Sequence, residues 1–80
     1  MQQTTIKALP KGEFFRRVRR AAAGIDEQGR PVYTMEPMQT VWVREYYCPS
    51  EKAYWCQKAE AVGDGRFFKG NTNVEVGFEY

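Results

Sequence analysis

Residues 40–57 read TVWVREYYCPSEKAYWCQ, two β-rich, aromatic runs divided by Pro49-Ser50-Glu51-Lys52. This stretch holds both tryptophans and both cysteines. β-Branched and aromatic residues alternating with polar ones fit a pleated, half-buried surface, so the reading is a central β-hairpin. Proline at the second position of a type I turn, followed by polar residues, favours a four-residue loop. With that loop, position 47 pairs with 54, 46 with 55, 44 with 57 and 43 with 58. Val41, Val43, Tyr47, Tyr54 and Cys56 then share the core face. Trp42, Arg44, Tyr46, Trp55 and Gln57 share the other. Side chains alternate across a strand, so Cys48 and Cys56 fall on opposite faces and are expected as free thiols.

Working outward, Val74 to Tyr80 (VEVGFEY) alternates again, with Val74, Val76, Phe78 and Tyr80 on one side. It reads as a half-buried strand with an open edge. Arg66 to Lys69 is a short strand between the turns Gly63-Asp64-Gly65 and Gly70–Asn73. Glu13 to Ala23 (EFFRRVRRAAA) is ambiguous: a 3.6-residue period gathers Phe14, Phe15, Val18 and Ala22, while a period of two separates Arg16 and Arg20 from Arg17 and Arg19. Propensity leans to helix; the β character of the remaining chain favours a strand over Phe14–Arg20. Residues 21–39 form a long, flexible hairpin connection containing Gly24–Arg30 and a short strand extension at Val32–Met35. Glu36-Pro37-Met38 breaks it, because proline cannot donate to a ladder. Residues 1–12 are an extended lead-in whose Ile6, Ala8 and Leu9 dock on an edge. These elements predict one mainly β domain over residues 1–80, a five-stranded SH3-like or OB-like barrel.

Composition agrees with that class. The 80 residues include one leucine, two isoleucines, seven valines and twelve aromatics, so rings must supply much of the core. Net charge is only +2, yet residues 1–44 hold eight Lys/Arg against four Asp/Glu, and residues 45–80 hold four against six. Such asymmetry draws an anionic partner to the first half. The first residues lack a charged and then apolar leader pattern, and no apolar run has the length of a membrane span. The expectation is a reduced, cytoplasmic protein with no membrane partner.

Catalytic machinery is sparse. The chain contains no histidine, its one serine (Ser50) sits in the hairpin tip without a base, and two cysteines cannot fill a zinc site. Neither an enzyme, a metal nor a cofactor is expected. Binding is the better reading. Trp42, Arg44, Tyr46 and Trp55 on one sheet face would offer rings for base stacking, with Arg16, Arg17, Arg19 and Arg20 tracking a phosphate backbone. The expected ligand is single-stranded or structured DNA or RNA. The alternative is a protein-interaction or homo-oligomerisation module using the C-terminal edge strand.

The order Val41-Trp42-Val43-Arg44, Tyr46-Tyr47, Lys52-x-Tyr54-x-Cys56, Phe67-Phe68-Lys69-Gly70 and Val74-x-x-Gly77-Phe78-x-Tyr80 resembles a group of short bacterial proteins associated with mobile elements and phage-like regions. The resemblance runs from Leu9 to Tyr80, outside Ala21–Met38. It implies a compact β-domain and no catalytic residue to carry over, as the group has no settled activity.

Overall fold

Alternating sequences pair wherever two of them can share a buried face, and here they do so in a single sheet. The computed structural model describes residues 2–80. It contains strands β1 (Gln2–Thr5), β2 (Phe14–Ile25), β3 (Pro31–Cys48), β4 (Ala53–Lys58), β5 (Gly65–Phe68) and β6 (Asn73–Val76). One 3-10 turn, Ile6–Ala8, follows β1. All pairings are antiparallel in the order β1-β6-β2-β3-β4-β5. The outermost strands β1 and β5 do not pair with each other, so the sheet is open.

The inner face carries the core: Ile6, Leu9, Phe15, Trp42, Cys56, Phe68 and Val74, with Tyr54 and Val76 packed against it. Phe68 is the hub, meeting Trp42 edge-on at 5.0 Å and Phe15 at 6.0 Å. Such tilted ring pairs add about 0.5–1.5 kcal/mol each beyond their burial. The 3-10 turn is tied to the connection between β5 and β6. Its Ile6 N–H donates to the Thr72 carbonyl at 3.1 Å, and its Lys7 N–H donates to that of Gly70 at 3.0 Å. Ile6 is thereby driven into the core with no accessible surface.

Beyond Arg17 the paired β2 and β3 leave the sheet as a two-stranded arm. β6 accompanies β2 only at Arg16 and Arg17, and β4 accompanies β3 only from Trp42 onward. The molecule measures 46 × 28 × 19 Å, and its radius of gyration is 14.6 Å. A compact chain of this length would have about 12 Å. The arm turns over at Asp26–Arg30, where the Asp26 carboxylate accepts from the backbone N–H groups of Gln28 (3.0 Å) and Arg30 (2.8 Å). Gly29 supplies the left-handed residue, at φ 78°.

Several expectations change. There are six strands rather than five, because Gln2–Thr5 pairs with β6. That pairing also removes the open C-terminal edge: β6 is interior, held by β1 on one side and β2 on the other. The strand expected to run to Tyr80 ends at Val76, where Gly77 turns at φ 75°. Strand one extends well past Arg20, to Ile25. Pro37 does not break β3 but lies opposite Val18 within it. The arm explains this, since β3 is an edge there and a missing N–H on the solvent side costs no ladder bond.

The central hairpin has the expected loop and a different register. Cys48 faces Ala53 and Tyr47 faces Tyr54 across Pro49–Lys52, but then Arg44 faces Cys56, Val43 faces Gln57 and Trp42 faces Lys58. Glu45 and Tyr46 together oppose Trp55, a β-bulge. One extra residue reverses the side-chain parity of everything beyond it. Trp42 and Arg44 therefore join Tyr54 and Cys56 on the inner face, and Val41 and Val43 turn outward.

Candidate nucleic-acid interface

The bulge and the alternation of β2 disperse the residues that sequence spacing had gathered. Trp42 is 4% exposed and forms part of the core. Trp55 lies on the opposite face, 5.0 Å from Phe67 between ring centroids. Its ring covers Gly65, where a Cβ would meet it at 2.8 Å. Tyr46, in the bulge, is 51% exposed. The Arg44 guanidinium stacks 4.5 Å from the Tyr54 ring, and its Nη1 donates to the Glu45 carbonyl at 2.7 Å. The aromatic platform of Trp42, Arg44, Tyr46 and Trp55 on a single face is not formed.

The four arginines of β2 divide in the same way. Arg16 and Arg20 face outward. Arg16 is held between the Glu75 carboxylate, at 3.6 Å, and the Phe78 ring, at 4.3 Å. The terminal residues 77–80 thus cover this part of the outer face, with Tyr80 4.9 Å from Phe14. Arg20 stacks 4.5 Å over Tyr33 on the arm. Arg17 and Arg19 face the inner side. Arg19 pairs with Glu36 at 3.7 Å, and Arg17 sits 5.0 Å over the Phe68 ring.

Two further cations meet Arg17 there. Lys58 Nζ lies 5.8 Å from the Trp42 ring centroid and the Arg66 guanidinium 5.5 Å from it. Arg66 is also 6.0 Å from Phe68. β2, β4 and β5 each contribute one positive group above the same two rings. Lys58 has a carboxylate partner, Asp64, at 3.1 Å; among the described residues Arg17 and Arg66 form no ion pair. These three, with Met38, Thr40 and Trp42, line a hollow of about 220 Å³. Two wider hollows adjoin it at Thr40, one bounded by Lys58, Glu60 and Ala61, the other by Arg19 and Pro37. The result is a groove along the inner side of the arm's base.

Lys58 and Arg66 were not singled out by sequence reasoning. Their signal was the pair of alternations Cys56-x-Lys58 and Arg66-x-Phe68, which put each cation on the same face as a core residue. Only the β4–β5 register, with Cys56 opposite Arg66, brings them together.

The thiols are free and differ in character. Cys48 contacts the Ser50 hydroxyl at 3.2 Å, and that contact, with the Glu51 backbone, draws its pKa below the usual thiol value. Burial pushes Cys56 up to about 11. No three His, Cys, Asp or Glu side chains among the described residues are grouped so as to hold a metal ion. No helix among them is long and apolar enough to cross a membrane. Comparison with known protein families, with curated proteins and with solved structures finds no match.

Proposed function

We propose that the protein is a non-catalytic binding module that takes single-stranded or structured nucleic acid in the groove at the base of the arm. The observation that carries this reading is the convergence of Arg17, Lys58 and Arg66 on the Trp42 and Phe68 rings with one carboxylate partner between them. Cations left without counter-charge attract a polyanion, and their aromatic backing holds them in place at a modest gain of ~0.5–1 kcal/mol each. Arg19 lies further along the arm, where it is paired with Glu36 in an exposed contact that a phosphate would compete with. An SH3-like or OB-like description of the sheet belongs to the same reading. It is supported by the β2-β3-β4-β5 meander, by β6 returning to β2, and by the 3-10 turn that sends Ile6 into the core.

Fluorescence anisotropy of a labelled oligonucleotide at increasing salt tests the proposal. Binding in low salt should weaken linearly on a log–log plot. Arg17→Ala or Arg66→Ala should each reduce the slope by about 1, whereas Arg20→Ala should leave it unchanged. Absence of binding at tens of micromolar protein in low salt, about the reach of non-specific contact, refutes it.

A second reading is favoured by the arm. Ile25, Val32, Tyr33, Met35 and Met38 are all exposed there, on a ribbon in which β2 and β3 pair only with each other among the described residues. Ribbons of that kind gain stability from a third layer, which a second copy of the chain would provide. Light scattering that reports a stable dimer, lost on Tyr33→Ser with Met35→Ser, would support this reading; a monomer at high concentration would end it.

A further inference from the structure

The hollow over Trp42 differs from the rest of the groove in size and charge. It lies where β3 parts from β4: Trp42 and Lys58 are the last pair before the arm leaves the sheet. At about 220 Å³ it falls below the roughly 300–1,000 Å³ of pockets that enclose a drug-sized molecule, so it suits a small charged group rather than a whole nucleoside. Two guanidinium groups, one ammonium and the Thr40 hydroxyl border it, all of them hydrogen-bond donors. Guanidinium forks match the paired oxygens of a phosphate. With Asp64 counted against Lys58, the four charged groups sum to +2. An internal phosphodiester carries one negative charge, and a terminal monoester carries about −1.5 to −2 at pH 7.

We propose that this hollow is a seat for the terminal phosphate of a nucleic-acid strand, which then runs along the groove past Arg19. The inference rests on the nucleic-acid reading above and adds the end of the strand as the feature recognised. The charge of the seat is matched by a monoester and only half matched by a diester. The adjoining hollow bounded by Arg19 and Pro37 shares Met38 and Thr40 with the seat and gives the strand a path from it along the arm.

Trp42 is the reporter. Phosphate entering the seat draws Lys58 and Arg66 away from its ring and changes its emission. The Trp55→Phe protein, which keeps an aromatic side chain beside Phe67, makes Trp42 the one tryptophan. It is titrated with three short oligonucleotides of identical sequence, bearing a 5′-phosphate, a 3′-phosphate or neither, at matched salt and pH 7.5. A phosphorylated end should bind at least tenfold tighter than the unphosphorylated strand. That preference should shrink below pH 6, where the monoester loses its second charge. It should vanish in Arg66→Gln protein whose circular dichroism is unchanged. Equal affinity for all three strands, each weakened by Arg17→Ala, overturns the seat and leaves the groove reading standing. Absence of binding by any strand overturns both. A phosphoserine peptide that binds through Arg66, with no preference among the oligonucleotides, also overturns the nucleic-acid seat, and assigns the hollow to a protein partner.

Discussion

Replacing Trp42 by alanine tests the bulge that decides this structure. Trp42 is 4% exposed, stands directly across from Phe15 and meets Phe68 edge-on at 5.0 Å. Truncating a buried aromatic costs ~3–5 kcal/mol. A domain of this length has about 4–12 kcal/mol in total, taking roughly 0.05–0.15 kcal/mol per residue. The variant should therefore lose roughly a quarter of its stability at the least, and all of it at the lower end of that range. Urea unfolding followed by far-ultraviolet circular dichroism measures the loss without relying on the tryptophan removed. Trp55→Ala, measured in parallel, should cost about 1–2 kcal/mol, since that side chain is half-buried on the outer face and loses contact chiefly with Phe67 and Gly65. The reversed order, with Trp55→Ala the more damaging and Trp42→Ala below about 1 kcal/mol, would refute the reasoning. It would mean that Glu45 and Tyr46 do not bulge and that the hairpin keeps uniform alternation.

Three other outcomes follow from the same geometry. Gly65→Ala should destabilise by about 1–3 kcal/mol despite its place on an edge strand, because the new methyl meets the Cys56 carbonyl and the Trp55 ring; denaturant midpoints check this, and an unchanged midpoint would show that the ring does not lie over Gly65. A thiol reagent at pH 8 should modify Cys48 within seconds to minutes in the native protein and Cys56 only as fast as the chain unfolds, as mass spectrometry of quenched samples would show. Stability should fall between about pH 9 and 11. There the unfolded chain ionises Cys56 while the folded chain keeps it neutral, so the unfolded state binds fewer protons and gains on the folded state. The stabilising effect is complete below pH 9 and lost as pH rises through about 11, and a Cys56→Ala protein should show a shallower decline over that window.

Local chemistry by itself determined a good deal. Alternation and β-branched or aromatic content located the two strands within residues 40–57 and the short one at Arg66–Lys69, and the β character of the remaining chain decided for a strand at Phe14–Arg20. The continuation of the first hairpin out to Ile25 and back from Pro31, expected as a flexible connection, was not legible. Pro49–Lys52 set the hairpin loop, and the seven-residue spacing kept Cys48 and Cys56 on opposite faces. These features depend on neighbours in sequence, which is why spacing reveals them. The tertiary structure alone decided which face each strand turns inward. A period of two says that side chains divide between faces and is silent about which face is buried; one unpaired residue in the ladder then inverts the answer for all positions beyond it. Trp42 passed from expected surface to core on that account, and Trp55 remained outside. The interior position of β6 likewise depends on Gln2–Thr5 arriving from the far end of the chain. The convergence of Arg17, Lys58 and Arg66 needs three strands that are distant in sequence to lie side by side, and no spacing within any one of them encodes it.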